Sequence, residues 1–168
     1  MDAIIYKSNT GTTAKYAELL GVETGLPVHE ISKANGVEPN AEIIYLGWLM
    51  AGEIKGYKQA DKKWTIRAAC GVGMSATGTQ IQDVRKRNKI SEKVPVFTLQ
   101  GGFYINKLHG LYKFMMKVMI KIVGKKLAAK TDRTQDEDVM YDMIIHGGDY
   151  VSIENLKDVL AWYSISHE

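Results

Sequence analysis

The chain has a single cysteine, Cys70, among its 168 residues. One thiol excludes an internal disulfide, and a reducing cytoplasm is the compartment that fits such a chain. It has no run of about 18 uncharged apolar residues, so no segment reads as a membrane-spanning helix. The start Met1-Asp2-Ala3 has no basic flank and leads straight into a short apolar run, so no signal peptide is expected. His109 and His146 belong to no metal-ligand spacing, and no metal is expected. There is no internal repeat and no low-complexity tract. An excess of acid is missing too: 22 basic residues stand against 19 acidic ones, a net charge of +3.

What is present is the composition of a globular protein, with 45% hydrophobic and 24% charged residues. The length suits one domain with a sizeable core, and two domains would each be small. The most informative segment is Ser8-Asn9-Thr10-Gly11-Thr12-Thr13. It follows the apolar run Ala3-Ile4-Ile5-Tyr6 and precedes Ala14 to Leu20, where apolar residues recur at helical spacing. That is a strand, a hydroxyl-rich turn and a helix. A helix start carries unpaired N–H groups and a partial positive charge, so amides and hydroxyls together suit a phosphomonoester. The turn lacks the Lys after Gly of a nucleotide P-loop and the three-glycine spacing of a dinucleotide site. The alternative is an ordinary helix cap made by Ser8 or Thr10.

Further strands are expected at Val28-His29-Glu30-Ile31, Glu42 to Gly47, Trp64 to Val72 and Val94 to Leu99. The third is nearly continuous in apolar residues, as buried parallel strands are. Helices fall around Thr12 to Thr24 and Thr79 to Lys89, with a last one from a Ser152 cap to Trp162. Alternating strands and helices predict an α/β fold with a doubly wound parallel sheet.

The first strand and turn resemble the flavodoxin signature, carried by Ile4, Ile5, Tyr6, Ser8, Thr10, Gly11, Thr13, Ala17 and Leu20. The resemblance implies a five-stranded flavodoxin-like sheet of order 2-1-3-4-5, with FMN as cofactor and its phosphate in the Ser8–Thr13 loop. It places the flavin ring over the ends of strands three and four. After strand three, Gly47-Trp48-Leu49-Met50-Ala51-Gly52 is expected as a loop with Trp48 stacked on the ring. Glycines at Gly47 and Gly52 would let the backbone come close to a flat ligand. After strand four, Gly71-Val72-Gly73-Met74 begins a loop rich in glycine and hydroxyls, either a second ring-binding loop or a connector. The resemblance makes the chain a flavoprotein of electron transfer, with the flavin doing the redox chemistry.

Two features depart from an electron-carrier flavodoxin. Carriers of that family are usually strongly acidic, and a charge of +3 steers poorly toward basic partners. The stretch from about 101 to 140 is also too long for a connection of roughly six residues. It contains Leu108 to Gly124, where Lys113, Lys117, Lys121 and Lys125 form a stripe at a spacing of four. Leu111, Phe114, Met115, Val118, Met119 and Ile122 share the other side. This insert resembles that of menaquinone-dependent protoporphyrinogen oxidases, with Tyr112 to Gly124 as the matching segment, followed by Thr131-Asp132.

The resemblance implies an FMN-dependent oxidoreductase that passes electrons to a quinone. The alternative is a small carrier with a redox partner protein and no substrate of its own. Lys113, Lys117 and Lys121 are the candidate contacts to an anionic membrane surface or a carboxylate-bearing substrate, placing the chain in the cytoplasm or at the inner face of the membrane. Packing of the apolar side on the domain, with the lysines solvated, is the other reading of that helix. No nucleic acid is expected as a partner, and no catalytic residue is assigned. Arg85-Lys86-Arg87-Asn88-Lys89 reads as a solvated helix end or an anion-attracting cluster, Asp132, Asp136, Glu137 and Asp138 as a polar link, and Cys70 as a buried strand residue or a group near the flavin.

Overall fold

Five of the strands are parallel, and four crossovers with helices on both faces join them. The computed structural model describes residues 1–166, the side chains of Ile105 and Asp136 excepted. The strands are β1 (Ala3–Lys7), β2 (Val28–Glu30), β3 (Glu42–Met50), β4 (Glu53–Ile54), β5 (Thr65–Gly73) and β6 (Val96–Gln100). The helices are α1 (Thr12–Thr24), α2 (Tyr57–Asp61), α3 (Ile81–Asn88), α4 (Gly110–Ala129), α5 (Gln135–His146) and α6 (Lys157–Ile165). The order is β2-β1-β3-β5-β6, with β4 paired antiparallel to β3 alone. Without that short flap it is the flavodoxin-like order expected from the sequence.

Each face of the sheet is sealed by its own cluster. Ile4, Leu46, Cys70, Val72 and Leu99 pack against Tyr16, Ala17 and Leu20 of α1 and against Leu156 and Val159 at α6. On the other side Ile5, Ile43, Tyr45 and Ala69 meet Tyr57, Ala60, Trp64, Val84 and Ile90. Full burial of one such side chain is worth roughly 1.5–3 kcal/mol. Gly21 lets α1 approach β2 closely, because a Cβ there would run into Val28. Cys70 lies wholly inside, and burial pushes its thiol up to about 12.

Several boundaries differ from the sequence reading. Ile31 leaves β2 for a short 3-10 turn, and β6 starts at Val96, after Pro95. The segment Trp48-Leu49-Met50 is strand rather than loop, because Ala51 (φ 50) and Gly52 (φ 78) make a two-residue turn that folds β4 back onto β3. Asn88 ties this hairpin to α3: its side chain accepts from Ile54 N at 2.9 Å and donates to Gly52 O at 2.8 Å. Arg85 is likewise buried, donating to Ser91 O and Val94 O at 2.5 and 2.9 Å. Two members of the expected solvated basic cluster are therefore structural.

The insert between the last strand and the last helix is a helical hairpin, α4 and α5, running to His146 rather than 140. Its two roots meet in an antiparallel bridge between Phe103 and Gly148. Of the acidic residues read as a polar link, Asp136, Glu137 and Asp138 lie in the first turn of α5, and Asp132 precedes it. Thr134 Oγ1 accepts from Glu137 N at 3.3 Å while Glu137 Oε2 accepts from Thr134 N at 2.9 Å, a reciprocal cap.

Candidate site at the carboxyl ends of the strands

Register decides what stands beside what. Lys7, the last residue of β1, pairs with Gly47, so the loop beginning at Ser8 leaves the sheet beside Trp48. Trp48 pairs with Val72, and Gly73 with Gln100. The sequence-predicted segments at Ser8, Trp48 and Gly71 to Gly73 thus occupy neighbouring strand ends. The position between β1 and β3 is the switch point of this sheet, where crossovers diverge to opposite sides and leave a crevice.

The Ser8–Thr13 loop is built by local bonds. Ser8 Oγ accepts from Gly11 N at 3.1 Å, and Thr10 Oγ1 lies 3.4 Å from Thr12 Oγ1. Gly11 is the residue that starts α1, at φ 95, a conformation glycine adopts without strain. Having no side chain, it cannot cap the amides that follow, so the reading of Ser8 or Thr10 as an ordinary cap does not describe this turn. Asn9 and Gly11 are exposed, Ser8 and Thr10 half-buried, and Thr12 and Thr13 buried. Such a loop offers hydroxyls and first-turn N–H groups to an anion, reinforced by the positive end of α1.

The neighbouring loops close around it. Gly101 N donates to Gly73 O at 2.7 Å, and a Cβ on Gly101 would lie 2.8 Å from both Thr12 Cγ2 and Val72 Cγ1. Gly101 therefore lets the end of β6 press against the start of α1 and β5 together. Tyr16, from the second turn of α1, donates to Gln100 O and accepts from Asn155 Nδ2 at 2.7 Å. Gly71 and Gly73 have a different tenant from the one expected: Leu49 fills the space over them, its side-chain carbons 2.8 and 3.1 Å from where their Cβ atoms would be. Met50, Ala51 and Gly52 sit on the hairpin tip fastened to α3, and Met74 is half-buried just past β5.

Trp48 is half-buried, and its indole meets Tyr112 of α4 edge-on, with centroids 5.4 Å apart at 87°. A second tie to the insert is the ion pair of Lys15 and Asp149. Partial burial would raise the Asp149 carboxyl, but hydrogen bonds from Lys15 and Tyr104 outweigh it and hold the group below its ordinary value. The bond to Asp149 raises Lys15 in turn. Lys15, Tyr104 and Asp149 carried no sequence signal, Lys15 and Asp149 being 134 positions apart, and Tyr112 stood only as the start of the matching segment of the insert. Among the described residues no cluster of His, Cys, Asp and Glu can hold a metal. A cavity of about 520 Å³ lies at the other end of the sheet, lined by Asp2, His29, Glu38 and Asn40 among others.

No protein-family model matches the sequence, and no curated protein matches it. The donors around Ser8–Thr13 fit a phosphomonoester, and the half-buried indole of Trp48 fits the edge or face of a flat aromatic group.

Proposed function

We propose that the chain is an FMN-binding redox protein, an oxidoreductase resembling menaquinone-dependent protoporphyrinogen oxidase that passes electrons to a quinone. The observation that carries this reading is the Ser8–Thr13 loop at the start of α1, beside Trp48 at the switch point of a flavodoxin-like sheet. Ser8, Thr10, Thr12, Thr13 and the first amides of α1 hold the phosphate, and Trp48 forms one wall for the ring. Bound FMN supplies the electron transfer. The chain's own contribution is to neutralise the phosphate with a helix dipole and to limit access through α4 and the hairpin of β3 and β4.

Titration of the purified protein with FMN and with riboflavin, followed by flavin fluorescence, tests the site. FMN should bind far more tightly, and Thr10→Val with Thr13→Val should remove hydrogen bonds to a charged group worth about 1.5–3 kcal/mol each. Equal binding of the two flavins would overturn the phosphate assignment. Turnover of protoporphyrinogen with a quinone acceptor is expected; a protein that binds FMN and cycles with a reductase alone is a carrier instead.

A further inference from the structure

The helix α4 presents its most apolar sector to water. At about 100° per residue, Leu111, Phe114, Met115, Val118 and Ile122 fall within a sector about 100° wide. They are 71%, 65%, 45%, 41% and 63% exposed. The side turned to the protein is the other one, with Met116, Ile120, Val123 and Leu127 half-buried or buried and Gly124 against Ile144. Lys117 and Lys121 lie on one flank of the exposed sector and Lys126 on the other, Lys125 falls within it in the last turns of the helix, and all four are exposed. From Gly110 to Ala129 there is no acidic residue.

A contiguous apolar surface of this kind marks a contact rather than a solvated face. Charge selects among its occupants. A second copy meeting it in a two-fold arrangement would bring lysines against lysines. A bilayer with anionic lipid supplies both halves of the complement, acyl chains for the ridge and phosphates for the flanks. Among the described residues no helix is long and apolar enough to cross a membrane, so α4 would lie in the plane of the surface. Its length, roughly 30 Å for 20 residues, is then all available for contact.

We propose that α4 docks on an anionic bilayer with the ridge of Leu111, Phe114, Met115, Val118 and Ile122 inserted and with Lys117, Lys121, Lys125 and Lys126 on the headgroups. The contact of Tyr112 with Trp48 fixes the first turn of α4 beside the end of β3, so docking brings the carboxyl-end loops alongside the membrane. An apolar electron acceptor dissolved in the bilayer would then reach those loops without crossing water. The docking itself needs no flavin and stands or falls apart from the cofactor.

Co-sedimentation of the full chain, without added flavin, with phosphatidylcholine vesicles and with vesicles containing phosphatidylglycerol tests it. Binding should require the anionic lipid and weaken with salt. Lys117→Gln, Lys121→Gln and Lys125→Gln together should weaken it about a hundredfold, at about fivefold per lysine. Leu111→Ser, Phe114→Ser and Ile122→Ser together should abolish it with every lysine intact, and circular dichroism should be unchanged because all three side chains face water. In a Phe114→Trp variant, brominated acyl chains should quench the new fluorescence. Absence of wild-type binding, equal binding to neutral vesicles, or a vesicle-free dimer that the triple Ser variant dissociates would each overturn the proposal.

Discussion

The sheet and the α4–α5 hairpin are opposite uses of the same kinds of residue. In the sheet and the helix α1 packed on it, Ile4, Ile5, Ile44, Leu46 and Leu20 are wholly buried. In the hairpin, burial is confined to a seam around Gly124, Leu127, Met143 and Ile144, while larger apolar residues of α4 stand in water. The sheet holds itself together and positions loops. The hairpin is held at its roots by the bridge of Phe103 and Gly148, the pair of Lys15 and Asp149, and the ring contact of Tyr112 with Trp48. Apolar content alone therefore says little about what a helix contributes to stability; the direction of its apolar face decides.

The contrast is broken most directly by truncating one apolar side chain in each region. Leu20→Ala or Ile44→Ala should cost about 2–5 kcal/mol, through lost burial and the cavity left behind. Phe114→Ala or Ile122→Ala should stay within about 0.5 kcal/mol, because those side chains already face solvent in the folded chain. Urea unfolding of the four variants measures the difference. A large loss for Phe114→Ala would mean that α4 packs its apolar face inward.

Much of the sheet is legible in the sequence because its signals are local and agree with one another. Ile4 to Tyr6 is apolar enough to be an inner strand, the Ser8–Thr13 turn follows at once, and Ala17 and Leu20 mark the buried face of α1. The exit of β3 was harder to read. Gly47 and Gly52 look like loop residues, yet Gly47 is a strand position where a Cβ would crowd Ile54 and Lys55, and only Ala51-Gly52 turns. At α4 the periodicity was plain but its direction was not, since a helical pattern is the same whether the apolar face meets a core or a membrane. The start of α5 did carry a signal, Thr134 with Glu137 three residues on, which the acidic run around it obscured. The ties of Asp149 to Lys15 and of Tyr112 to Trp48 depend on tertiary placement that no local pattern encodes.

The joint between the two regions can be sharpened at Trp48 and Tyr112. An edge-to-face pair of this geometry is worth about 0.5–1.5 kcal/mol beyond the area it buries. A double-mutant cycle with Trp48→Leu and Tyr112→Leu, read by urea unfolding, should return a coupling in that range. Vesicle binding by the Tyr112→Leu variant should persist, since the ridge is untouched. A coupling near zero would mean that the hairpin is held against the sheet by the bridge of Phe103 and Gly148 and the pair of Lys15 and Asp149 alone.

The smallest effect is expected at the other tie, and its sign follows from the carboxylate. Asp149 is held below its ordinary value of 3.8 in the folded chain. The unfolded state therefore takes up its proton first as pH falls, and the stability that the group contributes is fully present above that value. It is lost as pH drops below about 4 and through the still lower folded value. The Lys15 side chain is half exposed and that of Asp149 about one-third exposed, so solvent and salt screen the pair and its contribution is modest. Asp149→Asn should lower stability slightly at pH 7 and by less at pH 3, bringing the variant and the parent together in acid. Urea midpoints at the two pH values measure this. A deficit that stayed constant between pH 7 and pH 3 would show that the side chain matters for its hydrogen bonds with Tyr104 and Val151 rather than for its charge.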